Sequence, residues 1–238
     1  MPLTGIEIFK LLPKTNCKEC GVPTCLAFAM SLAAGKATLS ACPYVTEESK
    51  AKLQEASAPP IRLVTIGVGA RALKVGGETV MFRHEKRFEN PPGLAILIKD
   101  TIADAEVDAR LERFKSLQYD RVGLVLRPEL VALKAESGDV ARFVALVNKV
   151  KAGTDGGIIL MSDNLAILSA GVKAAADRKP LIYAATRDNV DAVAALAKES
   201  SCPVAVKAAS LDEAADLTDK LTKAGVNDII IDSGARTV

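Results

Sequence analysis

Tryptophan is absent, histidine occurs once, and aromatic residues make up only 4% of this 238-residue chain. No basic stripe with interleaved aromatics can be found, so nucleic-acid binding has little support. An excess of charge of one sign is missing too. The 31 basic and 29 acidic side chains leave the chain close to neutral and imply no strongly charged partner. No apolar run approaches the roughly 18 residues of a membrane span, and no charged-then-apolar leader is seen. The expectation is a cytoplasmic chain with no membrane and no nucleic-acid partner, whose 49% hydrophobic content is enough for a sizeable core.

What is present is concentrated near the start. Cys17, Cys20, Cys25 and Cys42 follow the spacing C-x2-C-x4-C-x16-C, and the fifth cysteine, Cys202, stands alone. Four thiols without a nearby histidine suit soft thiolate ligation of iron or zinc. Structural zinc sites usually pair two short C-x2-C knuckles, whereas here three cysteines crowd one loop and the fourth returns alone. That arrangement favours an iron-sulfur cubane over zinc without excluding zinc. A disulfide framework fits less well in a chain with no signal peptide.

The flanking residues predict a small helical module. Thr4-Gly5-Ile6-Glu7 has the form of a capping box, and Ile6, Phe9 and Leu12 form an apolar stripe before Pro13. A second helix should begin at Pro23-Thr24-Cys25, carry Leu26, Met30 and Ala33 on one face, and stop near Gly35. Cys25 would then sit in a first helical turn, where free N–H groups and the positive end of the helix favour anionic sulfur. The run Lys36–Cys42 spans up to roughly 23 Å when extended, so Cys42 can return to the loop.

The run Asn16-Cys17-Lys18-Glu19-Cys20-Gly21-Val22-Pro23-Thr24-Cys25, with Cys42-Pro43 downstream, resembles the cluster domain of the large subunit of the corrinoid iron-sulfur protein. In archaea the equivalent is the gamma subunit of the acetyl-CoA decarbonylase/synthase complex. The opening Pro2–Pro13 and the stretch Phe82-Arg83-His84-Glu85 carry the same resemblance, which runs through the whole chain. It implies that Cys17, Cys20, Cys25 and Cys42 bind one [4Fe-4S] cluster. It also implies a cobamide, a cobalt-containing corrinoid, held by a C-terminal domain that this sequence does not contain. Its partners would be the small subunit, in a heterodimer, a methyltetrahydrofolate methyltransferase and acetyl-CoA synthase/CO dehydrogenase. The implied role is a methyl carrier and electron-transfer component rather than a stand-alone enzyme, the cluster returning cobalt(II) to cobalt(I).

Residues 1–57 therefore read as a cluster domain, 58–60 as a linker broken by Pro59-Pro60, and 61–238 as a β-hairpin followed by an α/β region. Ile61–Val68 predicts a strand, and Leu73–Val80 a hairpin turning at Gly76-Gly77. Strand-like runs at Leu94–Ile98, Arg121–Leu126, Gly157–Met161, Leu181–Ala185, Pro203–Val206 and Asp228–Ile231 alternate with helical stripes. Those stripes are Val107/Leu111/Phe114, Val140/Val144/Val147, Leu165/Leu168/Val172, Val190/Val193/Ala197 and Leu217/Leu221/Ala224. The alternation means a parallel sheet with helices on its faces. A spacing of about 27 residues matches a (β/α)8 TIM-type barrel, with a doubly wound sheet as the competing architecture. Six units are visible and a barrel needs eight, so the sequence reads as an incomplete barrel and part of a longer protein.

Other features have plainer readings. His84 reads as an exposed hairpin residue; it lacks the Asp-x-His-x-x-Gly setting that supplies a cobalt ligand in many corrinoid proteins. Gly67-Val68-Gly69-Ala70 reads as a turn rather than a phosphate loop. Asp100, Arg127, Asp163, Thr186, Lys207 and Asp232 fall at or near strand C-termini, where barrel enzymes keep their chemistry, yet such residues also serve as helix caps. Cys202 reads as a small buried hydrophobe. Three functions compete: the methyl carrier, an electron-transfer module of another oxidoreductase, and a barrel enzyme with a structural zinc module.

Overall fold

A computed structural model describes residues 4–33, 36–57, 61–78, 84 and 89–235. The proposed linker residues Ala58-Pro59-Pro60, the helix stop at Gly35, and Thr79, Val80, Phe82, Arg83 and Glu85 lie outside the described residues. The chain divides into two compact units, Met1–Pro60 and Ile61–Val238.

The first unit is helical: α1 (Gly5–Leu11), α2 (Cys25–Ala33), a 3-10 turn at Leu39–Ala41 and α3 (Glu47–Ser57). The capping box forms as the local pattern predicts. The Thr4 hydroxyl oxygen accepts from the Glu7 amide while the Glu7 carboxylate accepts from the Thr4 amide. Of the expected stripes, Leu12 just after α1 is buried and Phe9 half-buried. The rest of the buried face is Ile8 on α1 with Phe28 and Ala29 on α2, whereas Ile6, Leu26, Met30 and Ala33 are exposed. Gly5 explains the choice: a side chain there would collide with Met30, so the two helices approach along the Gly5 face rather than the Ile6 face.

The second unit begins with β1 (Val64–Ile66) and β2 (Leu73–Val75), an antiparallel pair joined through a 3-10 turn at Gly69–Arg71. The second strand of the hairpin expected at Gly76-Gly77 runs into Thr79-Val80, outside the described residues; β2 pairs with β1 across an earlier reversal at Gly67 and Gly69, whose φ values are 86° and 73°.

Then follow β3 (Ala95–Lys99), α4 (Asp104–Ser116), β4 (Tyr119–Arg121), β5 (Leu124–Leu126), β6 (Leu130–Lys134), α5 (Val140–Gly153) and β7 (Gly157–Met161). After these come α6 (Leu165–Ala175), β8 (Leu181–Ala185), α7 (Val190–Ser200), β9 (Val204–Lys207), α8 (Leu211–Lys223) and β10 (Ile229–Asp232). Six of these strands form one parallel sheet in the order β3-β6-β7-β8-β9-β10. The segment Arg121–Leu126 is not a sheet strand. It belongs to the separate antiparallel hairpin β4–β5, and the second sheet strand is β6, four of whose five residues are buried.

Strand order follows chain order, without the reversal that defines a doubly wound sheet. Among the described residues β3 and β10 are its two edges, and the sheet does not close into the barrel expected from the spacing. Helices α4 to α8 share a single core with one sheet face, built from Ile98, Val131, Leu133, Ile158, Leu160, Ile182, Val204 and Val206. On α4, Val107, Leu111 and Phe114 repeat at four and three residues and are all buried; each contributes about 1.5–3 kcal/mol by leaving water. On α5 the buried positions are Phe143, Leu146, Val147 and Val150, while Val140 is exposed; on α6, Leu165 is exposed beside buried Leu168 and Val172.

Ile66 and Leu73 pack on the opposite sheet face against Leu130, Leu181 and Ala205. The Gly67 amide donates to the Lys179 carbonyl at 3.0 Å, and Arg71 donates to Asp155 and to the Pro128 carbonyl, each at 3.0 Å. The first hairpin thus packs at the N-terminal end of the sheet. Among the described residues no helix is long and apolar enough to cross a membrane.

Candidate metal centre

The loop between α1 and α2 winds through left-handed conformations at Lys14, Asn16, Lys18 and Gly21, with φ of 60°, 48°, 66° and 79°. Only the last is glycine, so the turns cost conformational energy that local bonds must offset. Asn16, a residue that tolerates this region, accepts the Cys25 amide on its side-chain oxygen at 2.8 Å and ties the loop to the start of α2. The Gly21 amide closes back on the Lys18 carbonyl at 3.0 Å, and the Thr24 hydroxyl oxygen accepts the Ala27 amide at 3.1 Å as the helix opens.

These bonds place Cys25 as the first residue of α2, buried at 5% exposure. Cys42 follows the 3-10 turn at Leu39–Ala41 and is equally buried, at 4%. The two share one apolar core with Ile8, Leu12, Phe28 and Val45, and Cys20 packs against it from the half-buried rim. Cys17 is half-buried and outside that core. All four thiols are free. Among the described residues no three cysteine, histidine or acidic side chains are grouped closely enough to hold a metal ion, so the thiols share a neighbourhood rather than a finished ligand shell.

Tyr44 marks the open side of that neighbourhood. Its hydroxyl donates to Glu19 at 2.8 Å; this bond, then the charge of Glu19, and to a lesser extent Cys17 and Cys42, hold the phenol pKa above its ordinary value. The donor set fits an iron-sulfur group in its chemistry: four thiols, Cys25 buried at a helix start, Cys42 buried after a 3-10 turn, and Cys17 and Cys20 half-buried on the loop.

The strand-end residues separate into different roles. Asp100 is 3% exposed and accepts the amides of Glu136 and Ser137 at 2.8 and 2.9 Å and the Ser137 hydroxyl at 2.5 Å. The Thr186 amide donates to Asn189, closing the turn into α7. Arg127 lies in the connection before β6 and is not at the end of a sheet strand. Asp163 and Lys207 are exposed, and Asp232 accepts the Tyr183 hydroxyl at 2.5 Å.

Sequence reasoning missed Lys99, Lys134 and Glu136. The lysines end the neighbouring strands β3 and β6 in register, and both reach Glu136, at 3.1 and 2.7 Å. Their signal was a lysine closing each apolar run. Cys202 is buried, and burial pushes its thiol pKa up, as expected of an inert core cysteine. His84 is exposed.

Comparison with known proteins bears on both units. Residues 12–44, which hold all four cysteines, match a family model described as "Putative Fe-S cluster". The large subunit of the corrinoid/iron-sulfur protein of Moorella thermoacetica is 46% identical over 236 residues, which cover 99% of this chain and 53% of that protein. The gamma 2 subunit of the acetyl-CoA decarbonylase/synthase complex of Methanosarcina mazei is 39% identical over 96% of this chain and 50% of its own length. The gamma subunit of Methanopyrus kandleri is 35% identical over 98% and 50%. The chain spans about half the length of the curated relatives it matches. Because residues 63–238 match the model described as "CO dehydrogenase/acetyl-CoA synthase delta subunit", the chain belongs to that family.

Proposed function

We propose that this chain is the cluster-bearing portion of the large subunit of a corrinoid iron-sulfur methyl carrier, and that Cys17, Cys20, Cys25 and Cys42 hold one [4Fe-4S] cluster. The carrier takes a methyl group from methyltetrahydrofolate through a methyltransferase and delivers it to acetyl-CoA synthase/CO dehydrogenase. It works in the cytoplasm, whose reducing thiol pool suits four unpaired cysteines. When bound, the cluster supplies a one-electron couple that returns the cobalt of a cobamide from cobalt(II) to cobalt(I).

The observation that carries the reading is the convergence of Cys20, Cys25 and Cys42 on one small core, with Cys17 on the loop pinned by Asn16. Asn16 sets the direction of the loop, and the start of α2 presents N–H groups that stabilise thiolate charge. Phe9, Val22 and Leu39 line the same core and keep water from the buried sulfurs, which tunes a cluster's potential. The sheet unit supports a closed barrel, since its order matches six consecutive barrel units; we place the two further units, the cobamide domain and the small-subunit partner outside this chain.

Anaerobic purification followed by iron, sulfide, zinc and cobalt analysis with electron paramagnetic resonance tests the proposal. About four iron and four sulfide per chain are expected, with loss of the signal in Cys42→Ser. Stoichiometric zinc without sulfide overturns it in favour of a structural zinc module.

A further inference from the structure

The hairpin β4–β5 has an apolar face that none of the described residues of its unit covers. Its turn residues Val122 and Gly123 have φ of 51° and 76°, the paired left-handed geometry of a two-residue hairpin. Residues paired directly across a ribbon lie on the same side. The register Tyr119↔Leu126 and Arg121↔Leu124 therefore puts Tyr119, Leu124 and Leu126 on one face with Arg121 at its margin, and Asp120 and Val125 on the other. None of the six strand residues is buried. Tyr119 and Leu124 are each 59% exposed, and Val122 at the tip is 96% exposed. An uncovered apolar ribbon with open edges is a liability in a free protein and a ready contact in an assembled one. Leu117, two residues upstream, is exposed as well and lines a groove of about 320 Å³ with Ile96, Leu97, Arg110, Arg113 and Phe114.

Charge identifies what fits there. Among the described residues Arg113, Arg121 and Arg127, before, within and after the hairpin, make no ion pair. Of the neighbouring acids, Glu106 pairs with Arg110, Glu112 with Lys115 and Glu129 accepts the Leu94 amide, while Asp120 lies on the opposite face of the ribbon. The apolar face thus carries a cation and no anion, which makes it a poor match for a second copy of itself.

We infer that β4–β5 is a docking ribbon for a different protein subunit, one that offers an apolar surface rimmed by carboxylates. Tyr119, Leu124 and Leu126 form the centre of the contact, and Arg113, Arg121 and Arg127 its polar rim. The inference rests on the reading of this chain as one subunit of an assembly, and deepens it by naming the surface. The hairpin stands in a helix-to-strand connection, at the N-terminal end of the sheet, so a partner seated there leaves the strand C-termini with Lys99, Lys134 and Asp232 open.

The test uses the full-length protein and the small subunit proposed as its partner. Hydrogen–deuterium exchange should show residues 119–126 gaining protection in the complex. Leu124→Asp should weaken binding roughly 30-fold or more, as loss of a central anchor does. Arg121→Glu should weaken it at low salt with a smaller effect at high salt. Should Leu124→Asp fail to fold by circular dichroism, Arg121→Glu and the exchange map decide. If the small subunit binds while 119–126 stay unprotected and the variants bind normally, the docking surface is overturned and the subunit reading stands. If the small subunit does not bind at all, both fall. Protection of the hairpin in the isolated full-length protein would assign it to that protein's own remaining chain, and self-association abolished by Leu124→Asp would assign it to a second copy; either result overturns the inference.

Discussion

Removing the Asp100 side chain should destabilise the sheet unit without touching a reacting group. Its carboxylate sits directly after β3 at 3% exposure and gathers two amides and a hydroxyl from the β6–α5 connection, while its backbone carbonyl accepts from Arg142 Nε. In Asp100→Ala the Glu136 and Ser137 amides lose their acceptor. Bonds to a charged group are worth about 1.5–3 kcal/mol each and stranded donors cost about 1–3 kcal/mol, but water can reach this connection once the side chain is gone, so we expect a loss of about 3 kcal/mol in all. Asp100→Asn keeps an acceptor without the charge and should lose about half as much.

Burial pushes the Asp100 pKa up. The Ser137 hydroxyl, the Glu136 and Ser137 amides and the Arg142 charge outweigh it and hold the pKa below the ordinary value. A depressed carboxylate stabilises above its unfolded pKa, and that stability disappears as pH falls through the folded pKa. The gap between wild type and Asp100→Ala should therefore be full at neutral pH and narrow in acid below the ordinary aspartate range, about 4, toward what the uncharged side chain still contributes. Urea unfolding followed by circular dichroism across pH measures it. Equal midpoints at neutral pH, or a gap that stays the same in acid, would refute the structural role and reopen Asp100 as a functional acid.

Two further outcomes are expected. Limited proteolysis should cut at Ala58-Pro59-Pro60 and release two folded fragments, because the boundary between the compact units falls there; resistance at that site while other loops are digested would oppose a separable cluster module. In Gly171→Ala the new methyl would sit 2.6 Å from Phe143 on α5, an overpacking cost of about 1–3 kcal/mol against a helix-propensity gain of about 1 kcal/mol. A net loss near 1 kcal/mol is expected, reversed in a Phe143→Leu background; additive double-mutant stabilities would show that the contact is not limiting.

Features decided by near neighbours were legible in the sequence. The Thr4–Glu7 capping box, the Val107/Leu111/Phe114 stripe and the start of α2 at Cys25 each depend on residues within one or two turns, and each stands as read. The alternation of strand and helix was legible for the same reason, as was the set of four cysteines whose chemistry points to metal. Features decided by long-range pairing were not. The apolar run Arg121–Leu126 satisfies a strand pattern as well as Leu130–Lys134 does, and only pairing with β3 and β7 shows which of them enters the sheet. Similarly, the pairing of β2 with β1 across Gly67 and Gly69 was not legible, because it rests on Ile66 and Leu73 burying against Leu130 and Leu181. Periodicity marked apolar positions on α1 and α2 without saying which face is covered; the close approach at Gly5 chose Ile8 over Ile6. The amino-acid sequence by itself determined most of the helices and strands, their order and the presence of four clustered thiols, because these rest on local sterics and side-chain type, whereas sheet membership, buried face and the structural role of Asp100 were decided by contacts between residues far apart in the chain.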